Sequence, residues 1–214
     1  MDIQNNYHIK SPVTIVANGD YPTNKTPLDI LKKSNFIIAC DGAADSLIKN
    51  NQFFDLVIGD LDSVSEDILN NNNIKKIKIE DQSENDLRKC IKFLLNNNTK
   101  EFNIIGCTGK REDHTIGNIF SILELNNDFK ATIYTDNGIF NIIDAHTEIS
   151  SKNGQQISLF ATDKTIKITT NGLKYNIKEK CLSSLFYGTL NESVSEKVNI
   201  KISHGKILIF QNYL

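Results

Sequence analysis

Phe36-Ile37-Ile38-Ala39-Cys40-Asp41-Gly42-Ala43-Ala44 passes from five apolar residues straight into a carboxylate, a glycine and two helix-forming alanines. An unbroken apolar run of that length reads as a strand covered on both faces, the habit of parallel sheets. A strand-like run leading into carboxylates recurs twice further along the chain. Leu56-Val57-Ile58 leads into Gly59-Asp60-Leu61-Asp62-Ser63, and Ile74 to Ile79 leads into Asp81-Gln82-Ser83-Glu84-Asn85-Asp86. Further strands are expected at Val13 to Ala17, Phe102 to Ile105 and Ala131 to Tyr134. Between the strands lie helical stretches at Thr26 to Lys33, Ala43 to Asn50, Glu84 to Leu95 and Thr115 to Leu125. In the third of these, Leu87, Cys90, Ile91, Leu94 and Leu95 make one apolar stripe. The asparagine runs at 70–73 and 96–98 fall where helices should end. Strict alternation of strand and helix predicts a doubly wound α/β domain with a mainly parallel sheet.

After Asp136 the character changes. Short runs at Phe140 to Ile143, Ile157 to Phe160, Ile166 to Ile168, Val198 to Ile202 and Ile207 to Phe210 are separated by Gly154, Gly172, Gly188 and Gly205. Several alternate polar and apolar residues, which predicts an antiparallel β-sandwich. The expected domains are therefore residues 1–136 and 137–214.

With 214 residues the chain can bury a full core, and its formal charge of -2 includes no basic stripe. Bulk electrostatics therefore suggest neither nucleic acid nor an anionic membrane as a partner. The first residues, Asp2 to Lys10, are polar, and no apolar run is long enough to span a bilayer. Cys40, Cys90, Cys107 and Cys181 are scattered without a paired spacing, so they read as reduced thiols in a cytoplasmic protein.

Open α/β sheets bind ligands beyond the carboxyl ends of their strands, where all three acidic signatures fall. Clustered carboxylates repel one another unless a cation neutralises them, and hard oxygen ligands suit Mg²⁺. If the turn after Leu56-Val57-Ile58 stays extended, Asp60 and Asp62 point the same way and share one ion. Alternatively, Asp60 closes a local turn and Asp62-Ser63 caps the next helix. Ser83 to Asp86 has the spacing of a capping box, and Lys89 reads either as the surface partner of Asp86 or as a phosphate contact. A fourth segment, Gly106-Cys107-Thr108-Gly109-Lys110-Arg111-Glu112-Asp113-His114, with Asn118 beyond it, follows another strand. Its glycines let backbone N–H groups face an anion, and Arg111 offers a planar fork for phosphate. The spacing is not that of a P-loop, and an ordinary strand-to-helix turn capped by Asp113 is the alternative.

In this order the motifs Cys-Asp-Gly-Ala, Gly-Asp-Leu-Asp-Ser, Asp-Gln-x-x-x-Asp-x-x-Lys and Gly-x-x-Gly-x-Arg-x-Asp-His-x-x-x-Asn resemble thiamine pyrophosphokinase. Thr170-Asn171-Gly172-Leu173-Lys174-Tyr175 and Gly188-Thr189-Leu190-Asn191-Glu192 are similar to two further segments of that family. The resemblance implies transfer of a diphosphate from ATP to the hydroxyl of thiamine, giving thiamine diphosphate and AMP. It also implies a homodimer with active sites at the subunit interface. By motif match, Asp41, Asp60, Asp62 and Asp86 are the catalytic carboxylates, with Asp60, Asp62 and Asp86 as Mg²⁺ ligands. Asp81, Gln82, Lys89, Gly106, Gly109, Arg111, Asp113, His114 and Asn118 fall to ATP, and Tyr175 and Asn191 to thiamine. Leu190 stands where the family usually has serine, and the chain has no tryptophan. Phosphoryl-type transfer needs alignment and charge neutralisation rather than a protein nucleophile, and Asp62 is the expected group to orient the hydroxyl, with Asp86 as competitor. Two other enzyme readings are a pyrophosphokinase for a pterin-like alcohol and a Mg²⁺-dependent phosphohydrolase; a nucleotide or thiamine sensor without turnover is the non-enzyme reading.

Overall fold

The computed structural model describes residues 7–125 and 129–214, so the start of the polar N-terminal segment lies outside the described residues. The chain divides into two compact units, Met1–Asp136 and Asn137–Leu214.

Unit one alternates β1 (Val13–Val16), α1 (Lys25–Lys33), β2 (Phe36–Cys40), α2 (Ala43–Lys49), β3 (Leu56–Gly59), α3 (Glu66–Asn70), β4 (Lys76–Lys78), α4 (Asp86–Asn96), β5 (Glu101–Ile105), α5 (Glu112–Ser121) and β6 (Lys130–Tyr134). Its strands lie in the order β6-β5-β1-β2-β3-β4, and every pair among them is parallel. Every residue of β1, β2 and β3 is buried, which is why their sequences do not alternate. The order runs outward from β1 to β4, then returns to place β5 on the other side of β1. The topological switch point therefore lies between β1 and β5, where open α/β sheets form their ligand crevice.

Helix α4 covers this sheet with Leu87, Cys90, Ile91 and Leu94, each at most 2% exposed. Its start differs from the expected capping box. Asn85 is the N-cap, its Oδ1 accepting from Arg88 N at 3.0 Å, whereas the Ser83 N–H donates to Asp81 Oδ1 at 2.8 Å within the preceding turn. Asp86 thus becomes the first helical residue, where a carboxylate suits the helix dipole. Helix α5 begins three residues before the expected Thr115, placing Glu112 and Asp113 in its first turn. It ends at Ser121, and a 3-10 turn follows over Ile122–Glu124. The short α3 was not delimited by periodicity. Both α3 and α4 end in their asparagine runs, and Asn98, just past α4, has a left-handed φ of 59°.

Unit two contains β7 (Gly138–Ile143), β8 (Thr147–Ser150), β9 (Gln156–Phe160), β10 (Lys167–Asn171), β11 (Lys180–Cys181), β12 (Asn191–Glu192), β13 (Lys197–Ile202) and β14 (Ile207–Asn212). They form two four-strand antiparallel arrays, β12-β9-β14-β7 and β11-β10-β13-β8. Ile157, Leu159 and Ile209 from one array and Ile168, Val198 and Ile200 from the other belong to a single buried core, each 0% exposed. That is a sandwich. Strands β8, β11 and β12 leave no clear sequence signal because they are two to four residues long and mostly polar.

The cap assignment makes a specific prediction. Asn85→Ala should cost about 1 kcal/mol of stability in urea denaturation, while Ser83→Ala should stay within about 0.5 kcal/mol of the parent; the reverse order would restore the capping box.

Candidate active site

Beyond the carboxyl ends of the unit-one strands lies a cleft of about 450 Å³. Asp41 follows β2 with a left-handed φ of 46°, its N–H donating to Ile58 O at 3.0 Å. It is 3% exposed. Gly59 permits this approach, because a Cβ there would meet Asp41 Cβ at 2.8 Å. Asp60 follows at the end of β3, and Asp86 opens α4. One carboxylate oxygen from each of Asp41, Asp60 and Asp86 lies within 4.8 Å of the others.

This set differs from the expected Asp60, Asp62 and Asp86. The turn is not extended: Leu61 has a φ of 67°, and the Asp62 N–H donates to Asp60 Oδ1 at 3.2 Å. That local turn takes the Asp62 carboxylate out of the cluster, to accept from Ser63 Oγ at 2.9 Å, although Asp62 still lines the cleft. Its place in the cluster is taken by Asp41, which comes from the adjacent strand.

Each acid has some compensation. Gln82 Nε2 donates to Asp60 Oδ2 at 2.9 Å, and this bond is the chief reason the Asp60 carboxyl is held below its ordinary range. Lys89 Nζ donates to Asp86 Oδ1 at 2.9 Å; its side chain is 4% exposed, so the pair is not the surface contact its spacing allowed. For Asp41, Ser63 N donates to Oδ2 at 3.2 Å, while Oδ1 is buried with no hydrogen-bond partner among the described residues. Burial pushes the Asp41 carboxyl up, the charges of Asp86 and Asp60 push it further, and hydrogen bonds from the Ser63 side chain and the Gly42 N–H act the other way. A buried, orphaned carboxylate oxygen facing two other carboxylates fits a hard divalent cation.

The opposite wall is the segment after β5. Gly106 and Gly109 take φ values of 69° and 85°. Gly106 O and Thr108 O accept from Gly19 N and Asp20 N at 2.7 and 2.8 Å, locking this loop to the one after β1. Gly19 is required here, since a Cβ would meet Thr108 O at 2.3 Å. Arg111 forks onto Asp113, with Nε to Oδ1 at 3.1 Å and Nη2 to Oδ2 at 2.6 Å; the pair is exposed. Asn118 Oδ1 accepts from Asn85 Nδ2 at 3.2 Å, joining α5 to the start of α4. Gln82, Lys89, Gly109, Arg111, His114 and Asn118 all line the cleft, whereas Asp81, Gly106 and Asp113 are not part of its lining and act as turn or ion-pair partners.

Asn18, Gly19, Asn85 and Lys110 also line the cleft, and the sequence reading gave them no role. A signal existed. Ala17-Asn18-Gly19-Asp20 ends an apolar run just as the acidic signatures do.

In unit two, Asn191 is 7% exposed. Its Oδ1 accepts from Tyr175 N at 3.1 Å and Glu192 N at 2.9 Å, and its Nδ2 donates to Tyr175 O at 2.8 Å. Asn191 thus fixes the backbone that carries Tyr175, whose own side chain is 66% exposed.

Residues 28–135 match the family model "Thiamin pyrophosphokinase, catalytic domain", and residues 138–210 match its substrate-binding domain. The chain belongs to the thiamin pyrophosphokinase family. Thiamin pyrophosphokinase 1 of Caenorhabditis elegans is 26% identical over an aligned length of 216 residues, covering 91% of this chain and 87% of that one. The crystal structure of thiamine pyrophosphokinase from Bacillus subtilis matches with a TM-score of 0.77 at 19% identity, covering 94% of this chain and 98% of that one. The enzyme from Candida albicans matches with a TM-score of 0.77 at 18% identity, covering 98% and 97%. These two likenesses show the shared fold. The family membership makes this chain an enzyme of the thiamin pyrophosphokinase type.

If Asp41 is a carboxylate awaiting a cation, Asp41→Asn should raise the melting temperature of the cation-free protein by about 3–6 °C. Adding MgCl₂ should raise the melting temperature of the parent and leave the variant nearly unmoved. A parent that melts identically with and without the salt would remove Asp41 from the metal set.

Proposed function

We propose that this family member transfers a diphosphate group from ATP to the hydroxyl of thiamine, giving thiamine diphosphate and AMP. The observation that carries the reading is the carboxylate trio Asp41, Asp60 and Asp86 facing a glycine-bearing, cationic loop across one cleft. Asp41, Asp60 and Asp86 would hold Mg²⁺, which when bound neutralises charge on the phosphates and polarises them toward attack.

The chain's own groups supply the rest. Lys89 keeps Asp86 in place from its buried position, and Gln82 does the same for Asp60. Arg111 has a planar fork suited to phosphate once it exchanges Asp113 for the ligand. His114, Asn118 and the Gly106–Gly109 turn complete the nucleotide side. Asp62 lines the cleft without belonging to the carboxylate trio, which leaves it free to accept a hydrogen bond from the attacking hydroxyl. This division favours Asp62 over Asp86 for that task. Tyr175 offers an exposed ring to thiamine, and Asn191 is the residue that positions it.

A homodimer with active sites at the subunit interface belongs to the same reading. It is supported by the family resemblance and by the exposed apolar side chains Phe186, Tyr187 and Leu190 of unit two, at 68, 62 and 79% exposure. No helix among the described residues is long and apolar enough to cross a membrane. A cytoplasmic setting rests on the scattered cysteines.

Product analysis with MgATP, with and without thiamine, tests the reaction. AMP and thiamine diphosphate should appear one for one, and only with thiamine; phosphate released without an acceptor would mean a phosphohydrolase, and turnover with a pterin alcohol instead would move the acceptor. Asp62→Asn should lower kcat by about 10²-fold or more with the KM for MgATP little changed, and an intact kcat would take the hydroxyl away from Asp62.

A further inference from the structure

Five acids line the cleft, Asp41, Asp60, Asp62, Glu84 and Asp86, against three lysine or arginine side chains, Lys89, Lys110 and Arg111. Two of the three cations are already spent. Lys89 is paired with Asp86 at 2.9 Å and Arg111 with Asp113 at 2.6 Å. Lys110 forms no ion pair among the described residues; its Nζ donates to the neutral amide oxygen of Asn18 at 2.7 Å. An ammonium has three donors, and the neutral amide takes one of them; the Asp20 carboxylate packs against the neighbouring Gly109, but no ion pair joins it to Lys110 among the described residues.

The backbone at this position is unusual. Lys110 has a φ of 56°, directly after Gly109 at 85°. A lysine adopts the left-handed region at a cost that glycine does not bear, and such strain gathers where a side chain must be aimed. Asn18 follows β1 and Lys110 follows β5, so their hydrogen bond crosses the switch point of the sheet. An anion entering the crevice there meets an ammonium that no carboxylate pairs among the described residues, on the wall facing the carboxylates.

We propose that Lys110 is a binding residue for the phosphate chain of the nucleotide, held ready by Asn18 until the phosphates arrive. The inference rests on the functional reading above and adds to it a cation that the motif match did not include. The phosphates replace the Asn18 amide as acceptor, with no proton transferred and no bond broken other than that hydrogen bond.

Calorimetric titration of the full chain with MgATP and with adenosine tests it, alongside thermal melts. Lys110→Met should weaken MgATP binding by about 10- to 100-fold, leave adenosine binding within about twofold, and flatten the dependence of MgATP affinity on salt. Lys110→Arg should retain most of the affinity. Lys110→Gly should lose MgATP affinity as Lys110→Met does while melting at or above the parent temperature, since glycine accepts the backbone conformation. Asn18→Ala separates ligand from tether: it leaves the charge in place and should lose far less affinity than Lys110→Met. If Asn18→Ala loses as much, the lysine is only a loop tether and the inference falls. If Lys110→Met binds MgATP as the parent does, the inference falls alone and the functional reading stands. A parent protein that binds no nucleotide overturns both.

Discussion

Three carboxylates held within 4.8 Å of one another at the edge of a buried sheet are the constraint on which the site depends. Like charges that close are unfavourable, and Asp41 is buried besides, so something must hold the group together. The backbone does part of it. Adjacent parallel strands β2 and β3 deliver Asp41 and Asp60 side by side, Gly59 removes the Cβ that would collide with Asp41, and Asn85 ends the loop so that Asp86 opens α4. Side chains do the next part: Gln82 on Asp60, Lys89 on Asp86 and the Ser63 N–H on Asp41. What is left over inside the protein is one buried oxygen, Asp41 Oδ1, without a hydrogen-bond partner among the described residues. That remainder is the feature of the cluster that a hard divalent cation would satisfy.

The rest of the cleft follows from strand order. Because β5 returns beside β1, the loops after these strands meet backbone to backbone, and their glycines are there to let carbonyls and N–H groups approach. The two walls differ in chemistry for this reason. One wall is built by β2, β3 and α4 and is acidic; the other is built by the β1 and β5 loops and carries glycine, amide and ammonium groups. A polyphosphate with its metal ion is a ligand whose charges match both.

Strain marks several of these positions. Asp41, Leu61 and Lys110, each in the left-handed region, all belong to the cleft or its turns, while Glu179 and Leu190 take the same conformation in turns of unit two. Asn51 and Asn98 share the conformation but sit just past helix ends, where asparagine is an ordinary choice. In unit one the contrast separates a helix stop from a residue at the cleft or its turns.

Periodicity alone was enough to show an α/β half with a parallel sheet and an antiparallel half after it, because burial on both faces and burial on one face leave different patterns in the chain. The carboxyl-end position of every acidic motif was legible for the same reason. Which carboxylates meet was not. Sequence proximity pairs Asp60 with Asp62, and the two do stay neighbours, but with a left-handed turn at Leu61 the residue that joins Asp60 and Asp86 in one group is Asp41, nineteen residues earlier than Asp60 and delivered by the adjacent strand. The depth of Lys89, the occupation of Asn191 by the Tyr175 backbone and the bond from Lys110 to Asn18 were equally invisible. Local pattern determines whether a residue stands at a strand end; the strand order and the sign of one φ angle decide what it touches there.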